Sequence, residues 1–294
     1  MKTPLPIFSV LFLLGAACET VVDIDIPFDK QMLVINSLPN PDSVWNVQVT
    51  LSRHVLDNTT HLMLPPMGVV KIVDQETEQV VDQLTQVANE PKMYRGTTKP
   101  SLGKTYRVQV DIPGYDRAEA IGYVPIVTPI ESVETEQAHS DGSTYTRIKI
   151  TFTDPPGESF YSVSLASSYF YIINMKDTVW NEYPIYIERD DAGLEEQGIS
   201  GPEVLIDDTF FDGKKHTISV RLNGGWGGQT PLGPNSRLVF SSLGASFYKY
   251  KVTTNLQNAA RDNPFAQPVQ VFSNVKNGVG IFDGLSSYSW TPPN

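Results

Sequence analysis

Alternating hydrophobic and polar positions run through the first part of the chain and predict β-strands. Turn sequences separate them, of which 39–42 (PNPD) and 65–68 (PPMG) are the clearest. Six or seven short strands over about 100 residues predict a β-sandwich across 31–124, either immunoglobulin-like or transthyretin-like. The strand-like segments are LVINSL (33–38), VWNVQVTLS (44–52), VVKIVD (69–74), VVDQL (80–84) and TYRVQVDI (105–112).

A second β-rich domain is predicted for 130–294, after a stiff linker at 125–129 that contains two prolines. Within it, the run at 160–173 has apolar and aromatic residues on both phases, which predicts a central strand covered on both faces. The other strand-like segments are TRIKITFTD (146–154), EYPIYIE (182–188), HTISVRL (216–222) and PVQVFSNV (268–275).

One helix is predicted near 243–261, where apolar residues recur three or four apart. We expect Ser241 or Ser242 to cap its start and Asn263-Pro264 to end it. Its apolar side should pack on the second sheet through Phe247 and Tyr250. Leu243, Leu256, Ala259 and Ala260 complete the periodic set.

The first 17 residues have the pattern of a secretory signal peptide. Lys2 precedes an apolar run from Leu5 to Leu14, which is too short to cross a bilayer as a helix. Small residues then lead directly to Cys18, as in the lipobox of bacterial lipoproteins, although Gly15 stands where that box usually has leucine. We predict lipidation at Cys18 and a tether at 18–30. The alternative is a secreted protein cleaved after Ala17, with Cys18 a free thiol.

The net charge limits the classes of binding partner, and the cysteine content limits how the fold is stabilised. The net charge is -11 with a pI near 4.8, which argues against nucleic acid and against electrostatic attachment to anionic lipid. Anchoring to the membrane would therefore depend on acyl chains, and two or three of them give stable attachment. Cys18 is the single cysteine, so the folded domains have no internal disulfide and must depend on their buried cores.

No catalytic constellation emerges from the sequence, and we predict neither enzymatic activity nor a cofactor. The four histidines are scattered, and the chain has no G-x-S-x-G elbow or phosphate-binding glycine loop. Asp207, Asp208 and Asp212 offer the densest carboxylate oxygens and are weak calcium candidates. They lack the order of an EF-hand loop, so a solvated hairpin is the preferred interpretation.

Aromatic residues provide candidate contacts for a partner or ligand. Trp226 lies within Asn223-Gly224-Gly225-Trp226-Gly227-Gly228, a loop that could present the indole to a sugar or a protein, or fold it back on the core. Tyr169 and Tyr171 mark a second candidate surface.

Several segments resemble the domain of unknown function 4249 family of Bacteroidota envelope lipoproteins. The resemblance covers nearly the whole mature chain, and the last segment is the most specific. The segments are Cys18-Glu19 with 33–36 (LVIN), 40–45 (NPDSVW) with 49–53 (VTLSR), 154–158 (DPPGE) with Phe160-Tyr161, and 263–265 (NPF) with 271–282 (VFSNVKNGVGIF).

Genes of that family often lie beside TonB-dependent transporters, which implies an outer-membrane lipoprotein, more often surface-exposed than facing the periplasm. The expected function is binding of such a transporter or of its glycan or peptide cargo. One alternative is a structural or adhesive surface protein, but a pilus-like subunit needs a cleavage site after an early arginine, and Arg53 lies inside the predicted fold. A glycan hydrolase is a further alternative, which would need two carboxylates facing each other across a cleft.

Overall fold

The computed structural model describes residues 30–54, 62–140, 143–173, 177–190, 201–222, 232–233, 235–261, 267 and 269–292. Met32–Asn294 forms one compact unit. The described residues contain 17 strands and a single α-helix, so the prediction of a mainly β fold with one helix is confirmed. In the same ranges, no helix combines the length and the apolar character that crossing a bilayer requires.

The strands of the N-terminal region are β1 (Leu33–Ser37), β2 (Asn46–Leu51), β3 (Val69–Asp74), β4 (Val80–Val87), β5 (Glu90–Arg95), β6 (Lys104–Asp111) and β7 (Ala118–Val124). The next are β8 (Ile130–Ser140), β9 (Ser143–Thr153), β10 (Phe160–Ile173), β11 (Asp177–Ile185), β12 (Ile187–Arg189), β13 (Glu203–Asp207), β14 (Lys215–Leu222) and β15 (Ser236–Leu243). The last elements are α1 (Ala245–Arg261), β16 (Gly278–Phe282) and β17 (Leu285–Trp290).

The first sheet has eight strands in the order β16-β1-β2-β5-β4-β3-β6-β7. Its two edges meet, because the backbones of Glu119 in β7 and Lys276, just before β16, exchange hydrogen bonds of 3.1 and 2.7 Å. The sheet therefore closes around one core. Alternate side chains point inward and are buried, which is the period-two pattern seen in the sequence. Members of this core include Leu33, Ile35, Trp45, Val47, Val49, Val70, Ile72, Val108, Val110 and Phe282.

Strand β16 comes from the far end of the chain and pairs in parallel with β1. Gly280 has φ +121°, and a Cβ there would lie 2.0 Å from the carbonyl oxygen of Ile35, so only glycine fits this approach. The predicted second domain at 130–294 thus differs from the structure in one strand, since 278–282 belongs to the first sheet. A parallel partner so distant in sequence leaves no local signal.

The rest of the chain forms two facing sheets. One has the order β12-β14-β9-β8, and the other has β11-β10-β15-β17 with β13 also paired to β10. Side chains from both sheets share one core, in which Phe152 lies 5.2 Å from Tyr161 and 4.7 Å from Phe240, measured between ring centroids. Strand β10 lies between β15 on one side and β13 with β11 on the other, as its prediction as a central strand implied.

Helix α1 packs across the junction of the two regions. Phe247 is buried against Phe160 and Leu243 of the second region and Ile281 of β16, with Tyr250 partly buried beside them. The predicted packing of Phe247 and Tyr250 is therefore present. Leu256, which shares the sequence periodicity, is 46% exposed. The helix thus buries its first turns, and its last turns leave the core.

The predicted serine cap is wrong. Ser241 and Ser242 lie within β15, where their hydroxyls bond Ser287 and Thr128. The carboxylate of Asp283 instead accepts the N–H of Phe247 at 2.9 Å. A carboxylate is favourable at a helix N-terminus, where N–H groups lack partners within the helix. The cap was missed because it comes from a turn that follows the helix in sequence.

Asp283 also joins the helix to the sheets. Its carboxylate accepts the N–H of Tyr123 in β7 at 2.8 Å and the N–H of Gly284 at 3.0 Å. The residue is buried, and a Cβ on Gly244 would lie 2.2 Å from its carboxylate. Burial raises the pKa of Asp283, and the backbone N–H groups around it act in the opposite direction. One side chain thus ties together β7, α1 and the turn between β16 and β17.

Asp283→Asn should lower the free energy of unfolding by about 2–4 kcal/mol, because an amide nitrogen would then face a backbone N–H in a buried site. Denaturant unfolding measures the change. Asp116→Asn is the matched control, since Asp116 is exposed in the turn after β6, and it should change the stability by less than about 0.5 kcal/mol. Equal, small effects from both variants would contradict the role of Asp283 as a tie.

Candidate functional site

Three carboxylates meet at one end of the second region. Asp154 follows β9, whereas Asp208 and Asp212 lie in the turn that joins β13 to β14. One oxygen from each lies within 4.8 Å of the others. Asp154 and Asp208 are buried and Asp212 is exposed. The end of β9 and the turn come together because Asp154 donates its N–H to the carbonyl oxygen of Lys214, which continues the β9–β14 ladder.

Each of these carboxylates accepts a backbone N–H from the facing turn. Gly213 donates to Asp154, Ser159 to Asp208 and Gly157 to Asp212, each at 2.8 Å. The other oxygen of Asp154 accepts the hydroxyl of Tyr161. The three acids therefore hold the turn at 154–159 against the turn at 208–214. Their positions are also compatible with the hard oxygen ligands that calcium prefers.

The crowding of charge shows in the titration of Asp208. Burial raises the pKa of its carboxyl, and the negative charges of Asp154 and Asp212 act in the same direction, while the bond from Ser159 lowers it. Burial likewise raises the pKa of the Tyr161 hydroxyl, which donates its hydrogen bond to Asp154.

Sequence reasoning identified two of the three acids. Asp207, the other predicted calcium candidate, points away from the cluster and accepts the N–H of Thr209 at 3.1 Å and the hydroxyl of Tyr248 at 3.4 Å. Asp207 belongs to β13, where neighbouring side chains alternate in direction, so Asp207 and Asp208 do not act together. Asp154 was missed as a candidate because it is distant in sequence. The calcium hypothesis itself stays a prediction.

A pair of exposed tyrosines forms a second candidate site. Tyr169 in β10 is 46% exposed, Tyr183 in β11 is 44% exposed, and their ring centroids are 5.6 Å apart. Tyr161, Val163 and Leu165 face the core of the second region, so the period of two places Tyr169 on the same face. Ile185 packs on this core two residues after Tyr183. The inner face of the sheet thus continues past its core as an exposed aromatic surface.

The remaining predicted site residues are placed only in part. Tyr171 lies in β10 opposite Val179, and its side chain is outside the described part of the structure. Cys18 and Trp226 also lie outside the described residues. Their proposed roles therefore stay predictions.

Two histidines make local contacts. The ring of His139 and the hydroxyl of Thr144 are 2.9 Å apart across the β8–β9 hairpin. The ring of His216 stacks on Phe211 with a centroid distance of 4.1 Å, close to the acidic turn. These positions are consistent with packing roles, which is how scattered histidines most often act.

The sequence profile of one protein family, described as a domain of unknown function (DUF4249), matches residues 19–290. The chain belongs to this family. The match spans the closed first sheet, the two facing sheets of the second region and α1. No curated protein matches the chain.

Two of the motifs that carried the resemblance to DUF4249 have clear structural roles. The segment 154–158 supplies Asp154 and the turn that the acidic cluster holds. The segment 278–282 is β16, which closes the first sheet, and Asp283 follows it directly. In this DUF4249 chain, these motifs therefore specify turns and close backbone contacts.

Asp208→Asn should alter stability in a pH-dependent way. A carboxyl whose pKa is raised on folding binds its proton more tightly in the folded state, so stability is lost as the pH rises from 3.8 through the raised value. The asparagine oxygen can still accept the N–H of Ser159. The melting temperature of the variant minus that of the wild type should therefore rise by a few degrees from about pH 3 to about pH 7. Thermal melts at the two pH values measure this difference.

Asp207→Asn is the control, because Asp207 lies outside the cluster. The melting temperature of this variant should differ from that of the wild type by the same amount at both pH values. An equal loss of melting temperature for Asp208→Asn at both pH values would contradict the proposed crowding of negative charge around Asp208. Calcium is added in parallel, and a stabilisation that Asp212→Asn abolishes would support the calcium hypothesis.

Proposed function

We propose that this DUF4249 protein is a lipid-anchored outer-membrane accessory protein that binds a TonB-dependent transporter or its glycan or peptide cargo. It belongs to the envelope of Bacteroidota, is attached through Cys18 and faces the cell surface. The observation that carries the proposed binding role is the aromatic surface of Tyr169 and Tyr183, where the inner face of a sheet is exposed beyond its core.

The anchor is supported by the order of the N-terminal segments. A signal-like apolar run ends in small residues before Cys18, a short tether follows, and the compact unit begins at Met32. Acyl chains on Cys18 would hold the whole β-fold at the membrane through one attachment point. A binding module held in this way meets a membrane partner at a high effective concentration.

Recognition is supported by the chemistry of the exposed surface. Tyrosine offers a rigid apolar ring and a polar hydroxyl, which suits both sugar stacking and protein interfaces. The opposite face of the same sheet carries the ion pair of Arg237 in β15 with Glu182 in β11, in which two guanidinium nitrogens lie 2.7–3.0 Å from the carboxylate. This pair joins β11 to β15 across β10, within the sheet that carries the tyrosines.

Binding is favoured over catalysis because the buried acids already have structural partners. Asp154 and Asp208 accept backbone N–H groups, and Asp154 also accepts the hydroxyl of Tyr161. A hydrolase needs one carboxylic acid and one carboxylate that both face the substrate. Acids that hold two turns together are better suited to maintaining the shape of this end of the fold.

Cys18→Ala should release the protein from the membrane fraction and abolish its labelling with palmitate. The reason is that the acyl chains on Cys18 are the proposed anchor. Fractionation with radiolabelled or clickable palmitate measures both effects, and Ser37→Ala provides a control that leaves the N-terminal segment unchanged. A wild-type chain that takes up no palmitate would contradict the proposal.

Tyr169→Ala with Tyr183→Ala should weaken binding of the partner by about 30-fold or more, because aromatic hot spots contribute about 2 kcal/mol or more. Co-purification with the transporter encoded next to the gene, and glycan or peptide binding assays, measure the loss. Tyr123→Ala is the matched control, since Tyr123 is 41% exposed on the first sheet.

Trp226→Ala tests the glycine-rich loop in the same assays. A variant that loses only transporter binding assigns its mutated site to the protein partner. A variant that loses only glycan or peptide binding assigns its site to the cargo. Wild-type binding by all variants would contradict the proposed surface.

A further inference from the structure

An exposed apolar loop lies where the folded unit begins. Residues 62–67 (LMLPPM) precede β3 and expose most of their apolar side chains. Met67 is the most exposed at 71%, and Leu62 and Leu64 are 49% and 43% exposed. Loops between strands are usually polar, and a contiguous exposed apolar patch marks a surface that contacts a protein or a membrane.

The fold holds this loop at both ends. The N–H of Leu51 donates to the carbonyl oxygen of Met63 at 2.9 Å, and the N–H of Gly68 donates to the hydroxyl of Tyr94 at 3.2 Å. A Cβ on Gly68 would lie 2.3 Å from the carbonyl oxygen of Asp111, so the end of the loop lies directly against the backbone of β6. The backbone of the loop is therefore fixed to the sheet near both of its ends.

The first residue of the compact unit lies beside this loop. Met32 exchanges hydrogen bonds with Ser52, from its N–H to the hydroxyl and from the N–H of Ser52 to its carbonyl oxygen, both at 2.9 Å. Ser52 follows Leu51, which bonds Met63. Met32 is itself exposed. The tether therefore enters the fold at the same edge that presents the apolar loop.

The chain between Cys18 and Met32 limits how far this edge can lie from the anchor. Fourteen residues span at most about 50 Å when fully extended. An acylated Cys18 thus keeps the edge that carries the loop within about 50 Å of the lipid surface. From this geometry we infer that the loop at 62–67 inserts its Leu and Met side chains into the lipid surface that holds Cys18. The inference rests on the proposed anchor.

The attraction is apolar. The shallow groove beside the loop has a volume of about 260 Å³ and is lined by Leu62, Leu64 and residues 89–92, where β5 begins. Glu90 and Lys92 at the start of β5 are of opposite charge, so together they offer no net attraction to anionic headgroups. Contact should therefore depend little on the fraction of anionic lipid or on salt. Leucine and methionine side chains enter the boundary between headgroups and acyl chains favourably.

The absence of any cysteine other than Cys18 makes the contact measurable. The mature chain, 18–294, carries Cys18→Ser and an N-terminal hexahistidine tag, and is held on phosphatidylcholine vesicles by a nickel-chelating lipid. An environment-sensitive NBD label is placed at Met67→Cys. The control label is at Phe210→Cys, because Phe210 has a similar exposure of 72% in the turn after β13.

The label at 67 should shift its emission to the blue and be quenched by doxyl-labelled lipid, at least about fivefold more than the label at 210. Adding anionic lipid or salt should leave the quenching unchanged. Leu64→Glu, which places a charge in the loop, should reduce quenching of the label at 67. Because the tag replaces the acyl chains, failure of lipidation at Cys18 would not affect this experiment.

Two results would overturn the inference. Equal, weak quenching at 67 and 210 would show that the loop stays in water. A label at 67 that responds only to vesicles containing outer-membrane proteins would assign the loop to a protein partner.

Discussion

The fold depends on one buried carboxylate. Asp283 accepts N–H groups from Tyr123 in β7, Phe247 in α1 and Gly284 in the turn between β16 and β17. Three segments distant in sequence thus share one acceptor, and the glycine at 244 leaves room for it. Burying a charge is costly unless hydrogen bonds compensate it, so this arrangement succeeds only when all three segments are in place. It links the closed first sheet to the helix that packs on the second region.

The local pattern of hydrophobic and polar residues was sufficient to predict the strands. It was insufficient to predict the contacts between elements that are distant in sequence. The alternation in 33–37 and 105–111 predicted half-buried strands because its cause is local: one face meets a core. The helix near 245–261 was visible for the same reason. Its cap and the place of β16 were not visible, because Asp283 and Gly278–Phe282 act on residues that are remote in sequence. Such contacts leave a trace only in the glycines that they require.

The residues of the candidate sites differ in the same way: those close in sequence were predicted, and those brought together by strand pairing were not. Asp208 and Asp212 were found because they are close in sequence, whereas Asp154 reaches them only through the β9–β14 ladder. Tyr169 was predicted as a contact, and its neighbour Tyr183 was not, because strand pairing brings them together. The apolar segment at 62–67 is visible in the sequence, but a hydrophobic run alone does not show whether it is buried. Only the structure shows that it is exposed.

The pairing of β16 with β1 has a consequence for the order of folding. Leu33, at the start of the folded unit, pairs with Gly278, so the first sheet closes only after the chain has been synthesised as far as β16. Contacts between such distant residues slow folding, since loop closure must come first. Until then β1 has an unpaired edge that could pair with another chain. Removing β16 by C-terminal truncation would therefore leave β1 with the same unpaired edge permanently.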